Sequence, residues 1–224
     1  MIIRWALLLV SVTAVALAQE ETPDSRLRHS RETLHEIMAA PDKGIPRDLL
    51  DRARCIVVVP GLKKAAFLVG GEYGRGFALC RTRSGWSGPA PVRLAGGSFG
   101  LQLGLDSTDI VLLVMNERGM TRLLSDKFSI GGEASAAAGP VGRDATADTD
   151  VLMRAEILSW SRTDGVFAGV SLDGTVVEHD DSETKKLYGQ SLSNRDIIEG
   201  RVSAPSGADR LVAELNRVAP GRRR

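Results

Sequence analysis

The sequence predicts an α+β domain: a curved antiparallel β-sheet or barrel-like sandwich, with N-terminal helices before it and short helices after it. Three observations carry that prediction. Residues 96–109 (GGSFGLQLGLDSTD) run directly into the apolar stretch 110–115, and residues 131–143 (GGEASAAAGPVGR) repeat the same glycine-rich character. Paired or alternate glycines mark close backbone approach, bulges and tight bends in strands, so two such blocks imply a strongly curved sheet. The 24 glycines stand against only 4% aromatic residues, which favours a turn-rich β architecture over a helical bundle. Helical spacing of apolar residues concentrates toward the two ends of the chain. At 224 residues and 43% hydrophobic, the chain can bury one ordinary core.

Residues 1–18 read as a cleaved export signal. Arg4 supplies the positive start, Trp5 through Leu17 the apolar stretch, and Ala16-Leu17-Ala18 the small-residue site, with the cut after Ala18. The apolar run is shorter than the ~20 residues of a spanning helix. Gln19 rather than a cysteine follows the cut, which argues against a lipid-modified N-terminus. The expected organisation is a leader (1–18), a domain (19–200), and a linker with a short helix and basic tail (201–224). The expected location is the periplasm or beyond.

Residues 24–40 have Leu27, Leu34, Ile37 and Met38 on one helical face, with Asp24 or Ser25 as cap. Arg26, Arg28, His29 and Arg31 are assigned to the opposite face. This pattern suits either a helix docked on the domain or one lying on a membrane surface. Pro46 opens a short helix to Ala53, where its missing N–H is harmless. Residues 55–59 (CIVVV) are apolar at every position, hence a strand covered on both faces. Pro60-Gly61 is read as a turn carrying Lys63 and Lys64. Residues 65–81 form extended chain broken at Gly70-Gly71, and Pro89 and Pro91 assign the stretch after Trp86 to a sheet edge. A strand follows at 110–115, a helical turn at 120–125, and a further strand at 151–161. Asp173-Gly174 is read as a hairpin turn between 166–172 and 175–178. Short helices are expected at 182–188 and 194–199, the second capped by Ser193 and the two ended by Gly189 and Gly200, and another at 208–218.

Several chemistries are excluded by counting. The formal net charge of +1 argues against nucleic-acid binding through bulk electrostatics. Three histidines (His29, His35, His179) and two cysteines give no spacing for a metal, so neither metal nor cofactor is expected. The motif Gly96-Gly97-Ser98-Phe99-Gly100 fits G-x-S-x-G, but a nucleophile elbow sits between a strand and a helix, and this serine runs into an alternating strand pattern. The chain is therefore read as non-enzymatic. For an exported protein, Cys55 and Cys80 are most simply a disulfide, and if their strands are neighbours both thiols fall at the same end of the ladder.

A series of ordered blocks from about residue 34 to 189 resembles the SYLF lipid-binding family. They include Ala53-Arg54-Cys55-Ile56, Lys64-Ala65-Ala66-Phe67, Gly70-Gly71-Glu72-Tyr73-Gly74-Arg75-Gly76 and Trp86-Ser87-Gly88-Pro89-Ala90. Beyond Thr108-Asp109 come AAGPVGR (137–143), SWSRTDGVFAGVSLDG (159–174) and Leu187-Tyr188-Gly189. The resemblance implies a phospholipid-headgroup module, with phosphoinositides the ligands of eukaryotic members. Carried over by residue, it implies lipid contact by Arg26, Arg28 and Arg31 on the first helix and by Lys63 and Lys64. It also implies the exported bacterial form, whose relatives often carry cysteines at positions 55 and 80. Anionic phospholipid at a membrane surface is the expected partner; the alternative is a structural or interaction protein of the cell envelope. For Arg75, Arg143 and Arg162, which lie beside glycines, pairing with Glu72, Asp144 or Asp164 is expected instead.

Overall fold

The computed structural model describes residues 21–40, 44–67, 69–83, 85–99, 104–141 and 154–220. The leader, Arg143 and the strand positions Val151 and Met153 lie outside them. In chain order the elements are α1 (Pro23–Ala39), α2 (Arg47–Arg52), β1 (Cys55–Phe67), β2 (Val69–Thr82), β3 (Gly85–Trp86), β4 (Ala90–Phe99), β5 (Gly104–Val114) and α3 (Glu117–Leu123). Then come β6 (Lys127–Ser129), β7 (Ala136–Ala138), β8 (Ile157–Thr163), β9 (Val166–Gly169), β10 (Val176–His179), α4 (Asp181–Tyr188), α5 (Asn194–Ile198), a 3-10 turn (Ser206–Ala208) and α6 (Asp209–Val218).

The described strands form a single sheet in the order β6-β10-β4-β2-β1-β5-β8-β7, with β3 beside β2 and β9 beside β8. Its pairs are antiparallel except β7 with β8. The continuous apolar runs in β1 and β5 are neighbours at the centre because both of their faces are buried. Ile56, Val58, Val111 and Leu113 pack with Phe77 and Leu79 beneath α1, α2 and α6. Cys55, Val57, Val59, Ile110, Leu112 and Val114 face the other way, against Val92, Leu94, Phe128 and Val177. The end strands β6 and β7 are joined by the short segment 130–135, whose Ile130 and Ala134 bridge to each other and belong to the inner cluster. The sheet therefore curls into a half-barrel filled by its own side chains.

Two turns differ from the sequence reading. Pro60-Gly61 does not reverse the chain: β1 continues to Phe67, and the register against both β2 and β5 slips by one residue there. This is a β-bulge with Gly61 at φ +59. Because side chains alternate along a strand, one inserted residue exchanges the faces, so Leu62 joins the inner cluster where an even-numbered position would have faced the helices. The bulged backbone also crowds β2: a Cβ on Gly76 would sit 2.0 Å from the Val58 carbonyl oxygen. The second difference is the hairpin. The β8–β9 turn is Asp164-Gly165, with φ of 49° and 79°, whereas Asp173-Gly174 leads the chain away from β9 to β10.

Cys55 and Cys80 stand directly opposite each other on β1 and β2 and form a disulfide, with Cα atoms 3.9 Å apart. At the same end of the sheet, Trp86 donates its indole N–H to the Ala219 carbonyl (3.1 Å), locking the end of α6 in place. Leu211, Leu215 and Val218 of α6 are buried with α1, so this helix is part of the core.

Candidate functional site

Helix α1 begins at a proline, with the Thr22 hydroxyl accepting from the Ser25 N–H at 3.2 Å. Its buried residues are Arg26, Leu27, Ser30, Thr33, Leu34 and Ile37, a stripe at helical spacing whose first member is a guanidinium. The assignment of Arg26 to the outer face is thus corrected. Arg26 is 4% exposed and ion-paired with Glu183 of α4, itself 1% exposed, and its Nε lies 3.2 Å from Glu21. A side chain so enclosed is unavailable to a membrane. Its polar neighbours Ser30 and Thr33 hid the stripe from a reading that counted only apolar residues.

Arg26 belongs to a buried charged cluster. Arg75 of β2 reaches Asp180 at 3.0 Å and Glu183 at 4.0 Å. Asp180 accepts from the Ser182 hydroxyl (2.7 Å) and the Glu183 N–H (3.0 Å), capping α4. Burial pushes the Glu183 carboxyl above its ordinary value, with Arg26 working against that shift. Burial acts the same way on Asp180, yet the bonds from Ser182 and Glu183 and the charges of Arg75 and Arg93 hold it below the ordinary range. The cluster fastens α1 and α4 to β2. Arg162 has the equivalent role at the other end of α1, pairing with Glu36 and Asp109. Pairing of Arg75 and Arg162 was expected, but through different carboxylates.

Arg28 and Arg31 project elsewhere. Together with Arg210 they line a groove of about 430 Å³ between the start of α1 and the start of α6, walled by Leu27 and Leu211 and flanked by Asp24 and Asp209. Arg28 donates to the Ser25 hydroxyl at 3.2 Å. The Nε of Arg31 is buried and has no hydrogen-bond partner among the described residues. Three arginines against two aspartates leave the groove net positive. Arg210 escaped the sequence reading because nothing in its local spacing links it to a helix some 180 positions earlier.

The two lysines sit apart from this groove, within β1 rather than on a turn. Lys63 is exposed, opposite Tyr73 on β2 and Ser107 on β5. Lys64 lies on the other face, 3.6 Å from Glu72, whose second oxygen accepts from Thr175 at 2.5 Å. Ser98 lies inside β4, opposite Gly70 of β2, in an antiparallel pair rather than at a strand-to-helix elbow. Among the described residues no group of three His, Cys, Asp or Glu side chains could hold a metal ion, and no described helix is long and apolar enough to cross a membrane.

The sequence profile of Ysc84, described as Las17-binding protein actin regulator, matches residues 95–218, from within β4 to the end of α6. The chain belongs to the Ysc84 (SYLF) family. Protein YSC84 of Saccharomyces cerevisiae is 33% identical over 179 residues, covering 78% of this chain and 38% of its own length. LAS seventeen-binding protein 3 of the same yeast is also 33% identical over 179 residues, 39% of its length. SH3 domain-containing YSC84-like protein 1 of Rattus norvegicus is 30% identical over 178 residues, covering 79% of this chain and 52% of its own. This Ysc84-family chain thus spans about half or less of the relatives it matches. The family description names an actin regulator, and the relatives' names a Las17-binding and an SH3-domain protein; none of them names an enzyme.

Proposed function

We propose that this Ysc84-family chain is a non-enzymatic module that binds anionic phospholipid headgroups at the surface of a membrane in the cell envelope. The observation that carries the reading is the groove in which Arg28, Arg31 and Arg210 converge with apolar walls, the Arg31 Nε having no hydrogen-bond partner among the described residues. A phosphate oxygen accepts hydrogen bonds in the fork geometry that guanidinium presents, and arginine suits it better than lysine. Each cation near an anionic surface contributes about 1 kcal/mol, so three, opposed by Asp24 and Asp209, give weak and salt-sensitive attachment.

Export is part of the same proposal. Residues 1–18 have the pattern of a cleaved signal, and the Cys55–Cys80 bridge suits an oxidising compartment. Phosphoinositides are then replaced by whatever acidic phospholipid the envelope offers. The Las17 and actin partners in the family's description are not carried over, since an exported chain does not meet them.

Flotation of the mature, disulfide-bonded protein with vesicles tests this. Recovery is expected with phosphatidylglycerol-containing vesicles and not with phosphatidylcholine alone, and it falls on adding salt. The Arg28→Gln/Arg31→Gln/Arg210→Gln variant loses that recovery, while Lys63→Gln/Lys64→Gln reports the share carried by the sheet. Equal recovery on neutral vesicles at every salt concentration contradicts the reading, and no recovery on either favours an envelope interaction protein.

A further inference from the structure

The groove between α1 and α6 holds five charged side chains that do not neutralise one another. Elsewhere the protein pairs its arginines: Arg26 with Glu183, Arg162 with Asp109, Arg217 with Glu214. In the groove, Arg28 donates to the Ser25 hydroxyl at 3.2 Å, and Arg31 and Arg210 form no ion pair among the described residues. Asp24 and Asp209 line the same groove, and neither accepts a hydrogen bond or joins an ion pair among those residues. Both occupy the first turn of their helices, where the N-terminal dipole favours a carboxylate. Asp24 also reaches across to the start of α6. A Cβ on Gly207 would stand 2.7 Å from its Oδ1, so the glycine leaves room for the carboxylate.

We infer that the groove reads a phosphate ester of a small polyol, with the phosphate on the three guanidiniums and the free hydroxyls donating to Asp24 and Asp209. The inference rests on the phospholipid reading and names the headgroup within it: phosphoglycerol, rather than phosphoserine or a bare phosphate.

Size and chemistry both ask for more than a phosphate. The groove measures about 430 Å³. A phosphate has five non-hydrogen atoms, and at the ~30 Å³ of a water in the liquid for each of them it fills about 150 Å³. More than half of the groove is left for whatever the phosphate is esterified to. The polar groups facing that remainder are two carboxylates, which only accept, and the Ser206 hydroxyl, which does either. A ligand hydroxyl donates to a carboxylate in a short, charge-assisted bond and brings no charge of its own. The carboxylate of a serine headgroup meets Asp24 and Asp209 as a like charge, and an ammonium meets three guanidiniums. Phosphatidic acid satisfies the arginines and offers the aspartates no hydroxyl. A site built to hydrogen-bond hydroxyls rejects ligands that lack them, because its own polar groups then go unpaired.

Vesicles of phosphatidylglycerol, phosphatidylserine and phosphatidic acid, each diluted with phosphatidylcholine to the same electrophoretic mobility, separate headgroup from charge. The mature protein is expected to bind phosphatidylglycerol about fivefold more tightly than the other two. Asp24→Ala/Asp209→Ala, shown to fold by its thermal midpoint, binds all three alike and no more weakly than the parent binds phosphatidylserine, since it has lost two negative charges. Gly207→Ala displaces the Asp24 carboxylate at unchanged net charge and narrows the preference; it decides alone if the alanine pair does not fold. Glycerophosphoglycerol, the headgroup without acyl chains, competes with the vesicles better than inorganic phosphate at the same ionic strength. Equal binding to the three acidic lipids, or stronger binding to vesicles containing phosphatidylethanolamine, overturns the polyol and leaves the anionic-headgroup reading standing. Glycerophosphoglycerol bound in calorimetry with no vesicle recovered supports the polyol phosphate and overturns its membrane source. Binding of neither overturns both.

Discussion

Breaking the Cys55–Cys80 bridge tests the fold where it is most strongly fixed. The two residues face each other across β1 and β2 and are separated by 25 positions, so the bond closes a long loop in the unfolded chain. The chain-entropy relation for a loop of that length gives about 3.5 kcal/mol. Both cysteines are fully buried in the inner cluster, so reductant reaches them only after unfolding. The protein should be unfolded in urea with reductant, refolded, and compared with the oxidised form in equilibrium urea titrations. With a slope of about 2–3 kcal/mol/M, the midpoint falls by more than about 1 M, and the thermal midpoint by roughly 7–14 °C. Coincident transitions for the two forms, or two free thiols in the unreduced protein by mass spectrometry, would refute the reasoning.

Three further outcomes follow from the packing. Glu183→Ala leaves the Arg26 guanidinium buried opposite no carboxylate on α4 and destabilises by about 3–5 kcal/mol, whereas replacing both partners by methionine costs less than that single change; a double-mutant cycle by denaturant unfolding checks this. Gly76→Ala forces a methyl into the Val58 carbonyl oxygen at the bulge and destabilises by about 3 kcal/mol or more, read as a lower thermal midpoint. Asp180 is held below its ordinary pKa in the folded state, so the unfolded chain takes up that proton first on acidification, and the stability Asp180 contributes above its ordinary value disappears as pH falls through the folded one. Glu183, shifted upward, acts in the opposite sense. The slope of stability against pH on the acid side is accordingly shallower in Asp180→Asn than in the unsubstituted protein.

The central strands were legible because burial on both faces leaves an unmistakable mark: residues 55–59 and 110–114 are apolar without interruption, and they are neighbours in the sheet. The caps of the C-terminal helices were equally plain, Ser193 and the left-handed Gly189 doing what their chemistry favours. Turns were harder. Pro60-Gly61 suits a bulge as well as a reversal, and only the partner strands, which continue past it, distinguish the two. Asp164-Gly165 and Asp173-Gly174 are the same dipeptide, and the hairpin belongs to the one whose flanking strands pair with each other. The candidate site was half visible. Arg28 and Arg31 share a helix and share a groove, but Arg210 completes it from the far end of the chain. Arg26 was misplaced because a buried ion pair depends on Glu183, 157 residues away, and no helical periodicity encodes such a partner.

The most direct test of the account is the salt dependence of vesicle binding by the mature protein and its Arg28→Gln/Arg31→Gln/Arg210→Gln variant. Strong recovery on phosphatidylglycerol vesicles is expected at low ionic strength, eroding as salt screens the groove, with the variant bound no better than the parent on neutral lipid. Binding that ignores lipid charge, or a variant that floats as well as the parent, would contradict it.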